Sequence, residues 1–159
     1  MLARDLAEPY PTVRLDDPAL DAARLLAERG LPGVLVVDDQ GFPRAVLPAS
    51  QLVRLIVPDY ILEDPTLAAV IDEAHADRLA QALTGLSVRD ALPRPTPEPT
   101  LAPGDATAVE VAALMARARS PLVAVMERTR TSRGGQGQPP RLLGAITAAR
   151  LLQRLLEAP

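Results

Sequence analysis

The chain has 159 residues, 48% of them hydrophobic and 23% charged, with a net charge of -3, which suits one compact domain with a buried core. It has no cysteine and all 17 basic residues are arginine, so disulfides, thiolate metal sites, a cysteine nucleophile and the lysine of a phosphate loop or Schiff base are excluded, and His75 is the single histidine left as a general base. Met1 to Asp5 lacks a basic region followed by an apolar run, and no stretch approaches the roughly 18 apolar residues of a membrane span, so a soluble cytoplasmic protein with no membrane insertion is expected.

In chain order the first marked feature is Ala3-Arg4-Asp5-Leu6, a short turn echoed by Val88-Arg89-Asp90-Ala91 at an offset of 85 residues. Asp17 and Pro18, with the character of an N-cap and a first helical residue, predict a helix with an apolar stripe of Leu20, Ala23, Leu26 and Ala27. Pro32 then precedes a run of strand length, Gly33-Val34-Leu35-Val36-Val37. After the turn Asp38-Asp39-Gln40-Gly41, a second short strand leads into a helix through Ala45-Val46-Leu47-Pro48-Ala49-Ser50-Gln51-Leu52.

The next segment has the marks of a separate helix over about Pro65 to Leu83. Asp64 is the expected N-cap, Pro65 the first residue and Gly85 the stop, with Leu67, Val70, Ile71 and Ala74 on one face and Ala82, Leu83 and Leu86 resuming the stripe. The first pattern then returns. Asp105 opens a helix predicted to bury Val109, Ala112, Met115 and Ala116. Pro121 precedes Leu122-Val123-Ala124-Val125-Met126 at an offset of 89, and Gly144-Ala145-Ile146-Thr147-Ala148-Ala149-Arg150-Leu151 follows at an offset of 99. The drift in offset is what loop insertions produce: the prolines from Pro93 to Pro99, and a hairpin tip from Arg128 to Arg141 in place of the short turn at Asp38 to Gly41.

Each unit therefore reads β-α-β-β-α, and the expected class is α+β: two tandem repeats packed as one pseudo-two-fold module. The expected divisions are residues 1–57 for the first repeat, 58–86 for a linker with its own helix, and 87–159 for the second repeat. Inner strands apolar throughout predict a sheet covered on both faces, with a helix on either side.

This order resembles the CBS (cystathionine-beta-synthase-type) domain pair. The features that carry the likeness are the V-R-D-type turn, the proline before the central strand and the Gly144-Ala145-Ile146-Thr147 turn into the last helix. The resemblance covers nearly the whole chain. It implies a non-catalytic regulatory module that senses a small ligand in a cleft between repeats, where the family often binds AMP, ATP or S-adenosylmethionine. ADP belongs to the same set of candidates, and no resident cofactor or metal is expected. In the family pattern a threonine and an aspartate three residues on bind phosphate and ribose, while apolar residues beside the proline hold the base. The corresponding positions here, expected to line the ligand, are Thr147, Arg150, Ser120, Pro121, Leu122, Thr100 and Gln51.

The family aspartate is missing twice. The second repeat keeps Thr147 but has Arg150 in the aspartate position; the first has Pro48 for the threonine and Gln51 for the aspartate. A proline offers neither hydroxyl nor amide hydrogen, so the first half-site lacks the usual contact. A guanidinium accepts nothing from ribose hydroxyls, yet it clamps a phosphate in bidentate fashion at a helix start. The resemblance also implies a homodimer, with Leu52, Leu55, Ile56, Leu151 and Leu155 in its interface, acting on an unknown effector protein. The alternative is a structural dimerisation adaptor whose ligand sites have decayed.

Other motifs carry less. Asp72-Glu73-Ala74-His75 spells a helicase box, but no phosphate loop or lysine accompanies it. Asp72, Glu73, His75 and Asp77 share helical spacing suited to a metal, although ligands from a single surface helix lack the convergence and second shell of a specific site. No serine among Ser50, Ser87, Ser120 and Ser132 sits in a G-x-S-x-G setting that would pair with His75 as a hydrolase. Residues 117–159 hold eight arginines against Glu127 and Glu157, while residues 1–116 hold nine against eighteen acids. That C-terminal charge favours an anionic ligand or partner. With two tyrosines and one phenylalanine the chain has too few aromatics for a base-stacking platform, so nucleic acid is not an expected partner.

Overall fold

The computed structural model describes residues 1–70, 78–128 and 139–157. In the first repeat the chain runs α1 (Ala3–Leu6), β1 (Thr12–Arg14), α2 (Ala19–Arg29), β2 (Gly33–Val37), β3 (Pro43–Pro48) and α3 (Ala49–Ile56). The second repeats the order as α5 (Val88–Ala91), β4 (Leu101–Pro103), α6 (Ala108–Ala118), β5 (Leu122–Glu127), β6 (Arg141–Thr147) and α7 (Ala148–Glu157); between them lies α4 (Asp59–Glu63). The α+β class and the tandem architecture are as the sequence predicts.

Each repeat builds a three-stranded sheet with its middle strand parallel to the first and antiparallel to the third. Gly33 pairs with Pro48 where Leu122 pairs with Thr147, and Val36 pairs with Ala45 where Val125 pairs with Gly144. Register shifts fall at Val36/Val37 and at the equivalent Val125/Met126. The repeat is thus preserved down to the bulge.

The two faces of the central strands are covered by different things, which corrects the expectation of a helix on either side. Val34 and Val36 pack with α2, α3 and α5, and Val123 and Val125 pack with α1, α6 and α7. Leu35 points the other way and meets Leu122, Ala124 and Ala145 of the second sheet, with Tyr10, Val46, Leu101 and Leu142 around them. Side chains of a strand alternate between faces, so an all-apolar strand is compatible with a helix layer on one side and a second sheet on the other.

The short helices are exchanged between the repeats. Ala3 and Leu6 of α1 are fully buried in the core of the second repeat, while Val88 and Ala91 of α5 are buried in that of the first. The backbone records the same exchange: Ala3 and Arg4 donate to the carbonyls of Ala106 and Gly104, and Val88 and Arg89 donate to those of Asp17 and Leu15. The echo between the two short turns therefore marks two equivalent clasps.

Helix starts and stripes differ from the sequence expectation. Pro18 itself is the N-cap of α2, and Asp17 instead accepts from the Arg14 amide at 2.8 Å, closing the preceding turn. Thr107, not Asp105, caps α6: its hydroxyl accepts from the Glu110 amide while the Glu110 carboxylate accepts from the Thr107 amide, a capping box that holds the Glu110 carboxyl below its usual range. The stripe of α2 is Ala19, Ala22 and Leu26, leaving Ala27 exposed; that of α6 is Ala108, Val111 and Met115, with Val109 72% exposed. The buried face of each helix is centred about one position before the predicted one, with Leu20, Ala23 and Ala112 at its partly buried edge.

Residues 71–77, the middle of the helix expected over about Pro65 to Leu83, lie outside the described residues. On either side of them the chain is a 3-10 helix at Pro65–Val70, α-helical at Arg78 and Leu79, and a 3-10 helix at Ala80–Leu83. Asp64 does cap the first of these, accepting from the Thr66 amide and hydroxyl, and Gly85 takes the left-handed conformation at φ +82°. Leu67 and Val70 are exposed, and Leu83 is the anchor in the first core. Ile71, Asp72, Glu73, Ala74, His75 and Asp77 lie outside the described residues.

Candidate functional site

The start of β5, the end of β6 and the first turn of α7 converge at one end of the second sheet. Leu122 is paired with Thr147, and the Ala148 amide donates to the Pro121 carbonyl at 3.0 Å. Thr100 joins the group from the edge, since its carbonyl accepts from the Ala124 amide at 2.9 Å just before β4 pairs with β5. Ser120, Pro121, Leu122, Thr100, Thr147 and Arg150 therefore occupy one neighbourhood. Gln51 stands at the equivalent place on the first sheet, where the Ala49 amide donates to the Pro32 carbonyl at 3.0 Å.

Several of these polar groups are already engaged. The Thr147 hydroxyl accepts from the Arg150 amide at 3.2 Å, capping the start of α7. Ser120 Oγ donates to the Leu122 carbonyl at 2.6 Å. Gln51 Nε2 donates to the Ala91 carbonyl at 3.1 Å, tying α3 to the exchanged helix α5. Pro48, at the N-cap of α3, makes no side-chain cap.

Arg150 reaches Glu8, a residue that no feature of the sequence connects to this site. The segment between α1 and β1 crosses β6, and Glu8 makes two backbone bonds with Ala145, each 3.0 Å. A Cβ at Gly144 would collide with the Glu8 carbonyl, so glycine is required there by close approach, at φ +155°. Arg150 Nε lies 3.2 Å from Glu8 Oε1, yet its N–H makes no hydrogen bond. The Arg150 side chain is 27% exposed and that of Glu8 54%, so the pair is open to solvent on the acid's side. Further along the same segment the Tyr10 hydroxyl donates to the Gly33 carbonyl, and burial pushes that hydroxyl up to about 12.

Two open cavities, of about 400 and 440 Å³, lie at the other end of the second sheet. Both touch Pro103 and Arg128, and none of the seven residues expected at the ligand lines either. Among the described residues no His, Asp or Glu side chains gather as a metal site. The candidate metal face at Asp72, Glu73, His75 and Asp77 falls outside those residues, as does most of the tip between Arg128 and Arg141. No described helix is long and apolar enough to cross a membrane.

The helices expected at a dimer interface divide between inside and outside. Leu52 and Leu151 are buried in the protomer's own cores, and Leu55 and Ile56 pack partly against the first. The outward residues are Val53 on α3 and Leu152, Leu155 and Leu156 on α7.

Comparison with known proteins agrees with this architecture. The family model described as CBS domain matches residues 3–58. Over 99% of both chains the protein is similar to a CBS domain-containing protein of unknown function from Kribbella flavida, at 46% identity and a TM-score of 0.79. It is similar in fold to the CBS-pair protein CBSX2 from Arabidopsis thaliana, at 19% identity over 98% of this chain and 94% of that one, TM-score 0.70. A structure of CBSX2 in complex with AMP matches at 18% identity over 98% and 96% of the two chains, TM-score 0.63. No curated protein matches the sequence.

Proposed function

The chain belongs to the CBS-domain family, and from that premise we propose that it is a non-catalytic cytoplasmic regulatory module that senses an adenine nucleotide between its repeats and needs no resident cofactor. The observation that carries this reading is the convergence of Pro121, Leu122, Thr147 and Arg150 at one end of the second sheet. The half-buried Pro121 there suits a base, while Leu122 is fully buried between the sheets beneath it, and a guanidinium in the first turn of a helix suits phosphate. That a similar CBS-pair protein has been seen with AMP supports the choice of ligand class. The second half-site is the stronger of the two, because Pro48 lacks a hydroxyl and the Gln51 amide is spent on Ala91.

In this proposal the module is a homodimer, associating through Val53, Leu152, Leu155 and Leu156 rather than through the buried Leu52 and Leu151. Ligand binding would favour one arrangement of the repeats and be transmitted to an effector protein with a coupling of about 1 to 3 kcal/mol. Light scattering on the double variant Leu152→Glu, Leu156→Glu tests the dimer and is expected to return a monomer.

The ligand is tested by a thermal-shift panel of AMP, ADP, ATP, adenosine and S-adenosylmethionine. A ligand at 100 times its Kd adds about 2.7 kcal/mol to stability, and Arg150→Ala is expected to abolish the shift. The engaged state of Gln51, Ser120 and Thr147 favours a second reading, a dimerisation adaptor with degenerate sites. A dimer that no compound in the panel stabilises would establish the adaptor.

A further inference from the structure

We infer that Glu8 is a built-in competitor for the phosphate seat at Arg150, a carboxylate supplied by the chain itself that a ligand's anionic group must displace. This rests on the proposed nucleotide site in the second repeat and adds a residue and a selectivity to it. Arg150 has five N–H donors, and the one nearest Glu8, Nε at 3.2 Å, makes no hydrogen bond. The carboxylate thus neutralises the guanidinium without using its fork. A phosphate offers the same charge with matching bidentate geometry, which an ill-aimed carboxylate does not.

The exchange needs no rearrangement of the backbone. Glu8 is held by both its amide and its carbonyl to Ala145, against a Gly144 that leaves it room, while its side chain is more than half exposed. A rotamer change carries the carboxylate into solvent and leaves Arg150 open. The segment that carries Glu8 also joins the repeats, since Leu6 is buried in the second core and the Tyr10 hydroxyl bonds the Gly33 carbonyl at the start of β2. Occupancy of Arg150 is in this way sensed on the strap that spans the two halves. Ligands without phosphate have nothing to exchange with Glu8, so the contact selects for anions.

Isothermal titration with ADP and with adenosine, on the wild-type chain and on Glu8→Gln, tests this. Glutamine keeps the side-chain length and the backbone bonds, and Glu8→Ala serves as a second variant in case the amide itself binds Arg150. Removing a partly exposed competing charge is expected to tighten ADP about three- to fivefold, with adenosine unchanged. ADP binding that is equal or weaker in both variants overturns the competitor role and leaves the nucleotide site standing. ADP binding to none of the three proteins overturns the competitor and the nucleotide site together. An equal gain for adenosine and ADP also overturns the competitor, because it would place the effect of Glu8 on access rather than on phosphate.

Discussion

The third residue of the last helix does the same structural job in each repeat by different means. In the first, Gln51 on α3 donates from a neutral amide to the Ala91 carbonyl at the end of the exchanged helix α5. In the second, Arg150 on α7 meets the Glu8 carboxylate just beyond the exchanged helix α1. One contact is a finished hydrogen bond between neutral groups. The other is an ion pair with unused donors on one side and solvent on the other. An internal repeat can thus conserve a clasp while keeping only one copy of it convertible to ligand binding.

The strands beneath show the same divergence, and the largest expected effect breaks it there. Gly144 lies under the Glu8 backbone, whereas its counterpart is Ala45. Gly144→Ala is expected to lose about 3 kcal/mol by clash and backbone strain, and Ala45→Gly under 1 kcal/mol, both from denaturant melts. Equal losses would mean that the strap does not press on β6. Next come the helix caps: Thr147→Val should lose about 1 kcal/mol and Pro48→Thr, which gives α3 the missing hydroxyl, should gain a similar amount. Denaturation of the two variants against wild type checks both signs.

Smaller still are the clasps themselves. Gln51→Ala should cost about 1 kcal/mol whatever the salt, while Arg150→Ala should cost at most about 1 kcal/mol at low ionic strength and less as salt is added. A salt-insensitive Arg150→Ala would deny the ion pair its role. The finest distinction is in pH. The folded value of Tyr10 is raised above its unfolded value, so its contribution is whole below about 10 and is lost as pH rises through about 12. Ultraviolet titration should show that late phenolate, and Tyr10→Phe should remove it.

Much of the fold was legible because hydrophobic period and proline placement are local signals. The strands Gly33–Val37 and Leu122–Glu127, the helices after them and the order of elements all announce themselves this way. Cap positions were less legible. Asp17 and Asp105 have the chemistry of caps, but Asp17 closes a turn and Thr107 with Glu110 makes the reciprocal box before α6; the deepest burial, set by packing, falls on Ala19, Ala22 and Leu26 and on Ala108, Val111 and Met115. The proposed site was legible only as a set of neighbouring positions, since Leu122, directly after Pro121, pairs with Thr147 on the adjacent strand.

By itself, the sequence determined the class, the repeat and the residues that meet within one unit, because these follow from short-range periodicity and neighbouring strands. Only the tertiary structure decided what covers each sheet, that α1 and α5 change places, and that Glu8 meets Arg150. Those outcomes depend on packing between segments far apart in the chain. An apolar strand face carries no mark to say whether a helix or a second sheet will remove it from water.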